Sequence, residues 1–253
     1  MLRVRIIPCL LLKDKGLVKT IKFTSPRYIG DPINAVHIFN EKEVDELVFL
    51  DIMATKEKRR PHFDFIKDIA SECFMPFAYG GGIISIDDIK TILKIGAEKV
   101  IINTAATRLD FISEAAKIVG SQSIVISIDV KKHWLGKYYV HTHCGMKNTH
   151  ITPVEFAKQV ESAGAGEIFI NSIDRDGTMQ GYDLVLTKSI TETVHIPVVA
   201  CGGAGKLSDF KDAIEIGKAS AVAAGSMFVY HRQHKAVLIN YPAQEDLRKN
   251  LCQ

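Results

Sequence analysis

No apolar run in the chain approaches the ~20 residues that a membrane-spanning helix needs, which excludes a helical membrane protein. Arg3 and Arg5 are followed by only a short strand-like run, not by the longer apolar stretch of a secretory leader. Cysteine is scarce and odd in number. Cys9, Cys73, Cys144, Cys201 and Cys252 are widely scattered, which argues against a disulfide framework and fits reduced thiols in a cytoplasmic protein. Neither sign of charge dominates: a net charge of +3 is too small to argue for nucleic acid or a membrane surface as a partner.

What is present is a chain of 253 residues, 47% hydrophobic, with ample core for one large domain or two small ones. Short β-branched runs alternate with longer amphipathic ones. The runs predict strands at Val4–Leu12, Glu46–Asp51, Pro76–Tyr79, Lys99–Asn103, Ser123–Val130, Glu167–Asn171, Pro197–Ala200 and Ser220–Ala224. Between them, helical patterns cover Phe63–Glu72, Ile86–Ile95, Asp110–Val119, Pro153–Ser162, Leu184–Thr193 and Ser208–Ile216. Eight strands with intervening helices predict an α/β fold, a (βα)8 TIM barrel as a single domain over residues 1–253. A doubly wound sheet is the competing fold, but it would show fewer strands.

The two halves of the chain repeat each other. Asp45-Glu46-Leu47-Val48-Phe49-Leu50-Asp51 returns as Gly166-Glu167-Ile168-Phe169-Ile170-Asn171-Ser172, and Pro76-Phe77-Ala78-Tyr79-Gly80-Gly81-Gly82 returns as Pro197-Val198-Val199-Ala200-Cys201-Gly202-Gly203, each displaced by 121 positions. Gly96 and Gly217 share that offset. A repeat this long is not a solenoid unit. It predicts a barrel of two (βα)4 halves, roughly residues 1–120 and 121–253, with two similar sites on one rim.

In such barrels the C-terminal strand ends carry the active site. The third and fourth strands end in Gly80-Gly81-Gly82 and Asn103-Thr104-Ala105; their repeats are Cys201-Gly202-Gly203 and Ala224-Gly225-Ser226. Glycines there let backbone N–H groups face an anion, and a following helix adds its positive end. The pair predicts a small ligand with a phosphate at each end, although tight turns also use glycine. Asp129 ends the fifth strand, as a general acid or base or as a loop cap paired with Lys131 or Lys132. Asp176, before Gly177, either accepts from ligand hydroxyls or holds its own loop. Alternation along the strands brings Arg5, Glu46, Lys99 and Glu167 to one inward-facing ring at the opposite end, as a structural plug or a functional ring. Lys13, Lys15, Lys19 and Lys22 form a basic loop, solvated or serving as a mobile lid. His141 and His143 share a strand face near Cys144 and His150, but no matching Cys or His pair occurs elsewhere, so no metal is expected.

Over nearly its whole length the chain resembles the cyclase subunit of imidazole glycerol phosphate synthase. The resemblance rests on Arg5-Ile6-Ile7, Gly30-Asp31-Pro32, Asp45 through Ile52, Gly80-Gly81-Gly82-Ile83, Asn103-Thr104-Ala105-Ala106, Lys147-Asn148-Thr149, Ser172 through Thr178 and Gly202-Gly203-Ala204-Gly205-Lys206. It implies a two-fold barrel that binds a bisphosphorylated ribonucleotide without a further cofactor. It implies a glutaminase subunit docked on the N-terminal face, with ammonia passing a gate of Arg5, Glu46, Lys99 and Glu167. It places phosphate binding on Gly82, Asn103 and Thr104, on Asp176, Gly177, Gly202 and Gly203, and on Gly225 and Ser226. Catalysis falls on Asp129, with Lys19 as a loop lysine.

The chain departs from that pattern at the reaction floor. Leu11 stands where the resemblance implies a second catalytic aspartate, and Met53, Asn171 and Cys201 replace Thr, Thr and Ser. One extra residue enlarges the turn Ala224-Gly225-Ser226-Met227. This is similar to a divergent branch of surface-polysaccharide (lipopolysaccharide) pathways, whose members pair with a glutaminase and supply ammonia to an ATP-dependent sugar amidotransferase that forms acetamidino sugars. The other readings are the cyclase of histidine biosynthesis and a non-catalytic scaffold that activates a glutaminase.

Overall fold

The strands pair in chain order and close on themselves. The computed structural model describes residues 4–231 and 236–251; Cys252 lies outside them. The barrel strands are β1 (Arg5–Lys13), β2 (Leu47–Asp51), β3 (Phe77–Gly80), β4 (Lys99–Ile102), β5 (Ile124–Lys132), β6 (Glu167–Ser172), β7 (Val198–Cys201) and β8 (Ala221–Ala224). Each is parallel to its neighbour, and β8 returns to β1 with Arg5 opposite Ala221. The longer helices are α1 (Pro32–Glu41), α2 (Phe63–Glu72), α3 (Ile86–Ile95), α4 (Leu109–Val119), α5 (Pro153–Ser162), α6 (Leu184–Thr191), α7 (Leu207–Glu215) and α8 (Gln244–Leu251), with a single helical turn at Ser226–Val229 after β8. This is a (βα)8 TIM barrel. None of the described helices is long and apolar enough to cross a membrane.

Strand alternation divides the core in two. One face of each strand packs outward on the helices, as with Leu10, Phe49, Tyr79, Ile126 and Ile168. The other faces the lumen, where Ile7, Cys9, Val48, Ala78, Ile101 and Phe169 belong to a separate buried cluster. Leu11, Leu50 and Cys201 pack against that cluster.

The repeat is visible in how α3 and α7 begin. Asp88 Oδ2 accepts from the backbone N–H groups of Ile84 and Ser85 at 3.1 and 3.0 Å. Asp209 Oδ2 accepts from Gly205 and Lys206 at 2.8 and 3.1 Å. The same carboxylate thus closes the first turn in each half, satisfying donors that a helix start leaves open.

Three elements were not anticipated. Helix α1 is capped by Asp31, whose Oδ1 accepts from Asn34 N at 3.0 Å, with Pro32 in the first turn. Helix α8 follows the last strand. The supposed basic loop after β1 is an antiparallel hairpin, Gly16–Ile21 with Thr24–Gly30, whose first strand also pairs with the end of β1. Its backbone groups are held by ladder bonds; Lys19 is buried there, while Lys15 and Lys22 stand exposed in its turns.

Candidate functional site

The C-terminal strand ends surround a cavity of about 390 Å³, within the range of small-molecule sites. Its wall includes Gly80–Gly82 with Asn103 and Thr104 on one side, and Gly202, Gly203, Gly225 and Ser226 on the other. Backbone crowding requires glycine at two of these places. A Cβ on Gly82 (φ +73°) would lie 2.7 Å from the Arg59 carbonyl oxygen, and one on Gly203 (φ +117°) 2.2 Å from that of Gly181. Asp88 and Asp209 take the N–H groups of the two residues before α3 and α7, while helical turns at Thr104–Thr107 and Ser226–Val229 begin on the cavity wall.

Asp129 stands on the cavity floor at the end of β5, almost fully buried. Its carboxylate accepts from Asn103 Nδ2 at 3.2 Å and from Ser127 Oγ at 3.4 Å. Burial, together with the nearby Asp176 charge, pushes its pKa up to about 7 against the opposing bonds from Ser127 and Asn171. Lys131 and Lys132 point outward and are exposed, so the loop-cap alternative gives way to a perturbed carboxyl inside a cavity. Asn171 sits opposite Asp129 in register on β6 and is 7% exposed. Its Oδ1 has no hydrogen-bond partner among the described residues. A buried acceptor without a donor is costly, and here it faces a cavity that can supply one. Leu11 lines the same cavity from β1. β1 and β5 stand four places apart in a ring of eight, so Leu11 and Asp129 oppose each other across the barrel axis.

Lys19 enters this floor from the hairpin. It is buried, and its Nζ donates to the Cys9 carbonyl oxygen at 2.7 Å. A Cβ on Gly225 would lie 1.8 Å from that ammonium, so the glycine at the β8 turn leaves room for the lysine. Of the two roles open to Asp176, the structure shows loop holding. Its Oδ2 accepts from Thr20 Oγ1 at 2.7 Å and from Phe23 N at 3.2 Å, while its carbonyl oxygen accepts from Lys22 N. As a direct phosphate contact it would set like charges together; it latches the hairpin that delivers Lys19.

At the opposite end of the barrel Arg5, Glu46, Lys99 and Glu167 form a closed ring. Arg5 bonds both carboxylates. Lys99 Nζ lies 2.9 Å from Glu167 and 3.3 Å from Glu46. Burial lowers the Arg5 pKa, but the Glu167 and Glu46 carboxylates outweigh it and hold the guanidinium charged. Two cations and two anions therefore cancel across the lumen's lower mouth.

Several wall residues were missed from the sequence. The turn after β2 places Lys56, Lys58, Arg59 and Arg60 on the cavity beside Gly82. Arg59 pairs with buried Asp51 at 2.8 Å and Arg60 with Asp88 at 2.6 Å. The signal was there, a basic run directly after a strand-ending aspartate. The expected shared face of His141 and His143 also fails. The return strand (Tyr138–Thr142) ends before His143, which turns at φ +54° and lines the cavity with Cys144. Among the described residues no group of three or more His, Cys, Asp or Glu side chains could hold a metal ion.

The profile of the histidine biosynthesis protein family matches residues 5–235. The chain belongs to that family. Within it the chain is HisF-like: it is 47% identical over 98% of both chains to the imidazole glycerol phosphate synthase subunit HisF of Thermococcus onnurineus. It is 53% identical, over 96% of its length and 97% of the relative's, to a Pseudomonas aeruginosa protein provisionally named imidazole glycerol phosphate synthase subunit hisF2. A Leptospira interrogans protein with a provisional HisF name is 50% identical over 97% of this chain and 98% of its own.

The buried carboxyl makes a prediction. Unfolded, Asp129 ionises near pH 4; folded, near pH 7. Between those values the folded state holds a proton that the unfolded state has released, so stability falls as pH rises through this window and levels off above it. Asp129→Asn removes this burden. Denaturant unfolding at pH 8 is expected to show the variant more stable by on the order of 1–3 kcal/mol, with the difference vanishing near pH 4. Parallel pH profiles for the two proteins would contradict the assignment.

Proposed function

We propose that this chain is an ammonia-channelling synthase barrel, fed by a glutaminase on its N-terminal face, whose product supports acetamidino-sugar formation for surface polysaccharide. The observation that carries this reading is Leu11 opposite Asp129 on the cavity floor. Ring closure on a ribonucleotide needs proton donation and acceptance from two directions. A leucine does neither, and losing one general acid–base partner costs about 10²–10⁴ in rate. Capture of ammonia needs less: an acceptor for its N–H bonds and a dry approach. Asp129 and the unpartnered Asn171 Oδ1 offer the first, and the apolar lumen cluster offers the second.

In this reading the ring of Arg5, Glu46, Lys99 and Glu167 is the gate through which neutral ammonia enters. Gly82, Asn103 and Thr104 hold one phosphate of the ligand, and Gly177, Gly202, Gly203, Gly225 and Ser226 hold the other. Lys19 supplies positive charge between them. An ATP-dependent sugar amidotransferase then uses the nitrogen to replace the oxygen of an N-acetyl group, giving an amidine. The second reading is the cyclase of imidazole glycerol phosphate synthase itself, favoured by the 47% identity to the Thermococcus onnurineus subunit.

Growth separates the two. Expressed in a histidine auxotroph that lacks the cyclase, the chain is expected not to support growth without histidine, and Leu11→Asp is expected to give slow growth. Robust growth with the unmodified chain would decide for the cyclase. The gate is tested in the reconstituted complex. Glu46→Ala and Lys99→Ala should lower the product formed per glutamine hydrolysed severalfold while leaving turnover with free ammonium salt near the parent value. Unchanged coupling in both variants counts against a gate.

A further inference from the structure

Where β5 leaves the barrel it runs on past the cavity and turns back as the return strand Tyr138–Thr142. Residues 131–150 carry four lysines, Lys131, Lys132, Lys137 and Lys147, and no aspartate or glutamate. All four lysines are exposed. Against a whole-chain charge of +3, the +4 of this segment leaves the remaining residues at −1. The chain's one tryptophan, Trp134, stands at the hairpin tip, 91% exposed, beside Leu135 at 64%. Met146, in the turn at the other end of the return strand, is 65% exposed.

The tip is held rigidly. Gly136 N donates to the His133 carbonyl oxygen and His133 N to that of Lys137, both at 2.8 Å, which closes the turn. The His133 and Tyr139 rings meet edge to face with centroids 5.1 Å apart, and Tyr139 meets His150 at 6.0 Å. Tyr138 Oη donates to Asp183 at 2.9 Å, and Asp174 accepts from the Lys132 N–H at 2.8 Å. These two bonds tie the hairpin to the loop after β6 and to the residue that caps α6. A braced loop has little freedom left to lose on binding. Tryptophan is enriched among the side chains that dominate protein interfaces, and this one is left almost wholly in water by its own chain.

We propose that this hairpin is the docking element for the enzyme that receives the nitrogen: an ATP-dependent amidotransferase whose surface offers an apolar pocket for Trp134 and Leu135 within an acidic rim. The proposal rests on the ammonia-transfer reading above. Position and charge select the occupant. The inner turn of the hairpin carries His143 and Cys144, which line the cavity. The return strand spans about 17 Å, so a partner patch of roughly 800 Å² seated on the tip also covers the mouth through which the nitrogen leaves. Four lysines without an acid select an acidic partner and steer its approach. A second copy of this chain would set the same lysines against each other in an isologous pair. A lipid surface would gain two apolar side chains at the tip, too little for stable anchoring.

The test uses the full chain with its glutaminase and, as probe, the purified ATP-dependent N-acetyl-sugar amidotransferase of the same organism. Calorimetry is expected to show one saturable site per barrel, weakened by added salt. Trp134→Ala should weaken binding at least about tenfold, and the paired reversal Lys131→Glu with Lys137→Glu by a similar factor. The altered side chains are exposed, so both variants should keep the parent's melting temperature and its affinity for the glutaminase. Amidine formed per glutamine hydrolysed should fall in parallel, with turnover on free ammonium salt unchanged. Parent-like binding by Trp134→Ala, or no complex with the parent, overturns the docking proposal. So does binding to phosphatidylglycerol vesicles, or dimerisation that depends on Trp134, in place of that complex. A parent that binds the amidotransferase through Trp134 but passes it no glutamine nitrogen keeps the docking surface and removes the ammonia-transfer reading.

Discussion

Closure of eight strands into a ring lets only every second side chain point inward, and those few must fill the whole interior. The rest of this molecule follows from that constraint. The lumen is a stack of layers: a neutralised ring of two cations and two anions at the lower mouth, an apolar cluster above it, and a mixed floor beneath the cavity where Asp129 and Asn171 stand among Leu11, Leu50 and Cys201. A charged species entering from below would meet full charges and then a desolvated passage. A small neutral molecule meets neither barrier to the same degree. The same layering accounts for the Asp129 carboxyl, whose shift begins with loss of water and is only partly offset by amide and hydroxyl donors.

The floor is also a study in how local rules yield to tertiary ones. Lys19 lies in a run of lysines that reads as solvated. Pairing of Leu11 with Val18 and Leu12 with Leu17 folds that run back along β1, and the ammonium ends up buried on a carbonyl oxygen beside a glycine that makes room for it. Asp176, which also lines the cavity, then secures the hairpin. Two residues that look like independent contacts are one mechanical unit: the carboxylate positions the strand, and the strand positions the amine.

Much of the architecture was legible because parallel barrel strands are short, β-branched and separated by amphipathic helices, and because a 121-residue repeat doubled each signal. Every barrel strand lies within two residues of its expected span. The ring of Arg5, Glu46, Lys99 and Glu167 was legible from parity alone, since alternation fixes which side chains face inward. What was not legible came from elements whose cues are not periodic. Asp31-Pro32 is a clear helix start, yet α1 shows little amphipathic contrast to follow it. The hairpin depends on partners in β1, and the wall lysines depend on how the turn after β2 folds over Gly82.

Leu11 deserves a physical account as a change of environment, not only as a missing acid. A second carboxylate across the axis would repel the Asp129 charge and would also bring hydration into the floor. Leucine removes that repulsion but withdraws the hydration too, and burial is the largest cause of the Asp129 shift. The net result is a lone carboxyl that titrates near neutrality beside an amide oxygen in need of a donor. Such a pair suits a guest that brings hydrogen atoms and little charge. Ammonia has three N–H bonds and a free electron pair, so two acceptors can orient it while its nucleophilic face stays open to the cavity. A floor with two opposed carboxylates favours protonating what arrives; a floor with one carboxyl and one amide favours holding it neutral. In the function proposed for this chain, that contrast, set by one aliphatic side chain on β1, is what separates passing nitrogen onward from closing a ring.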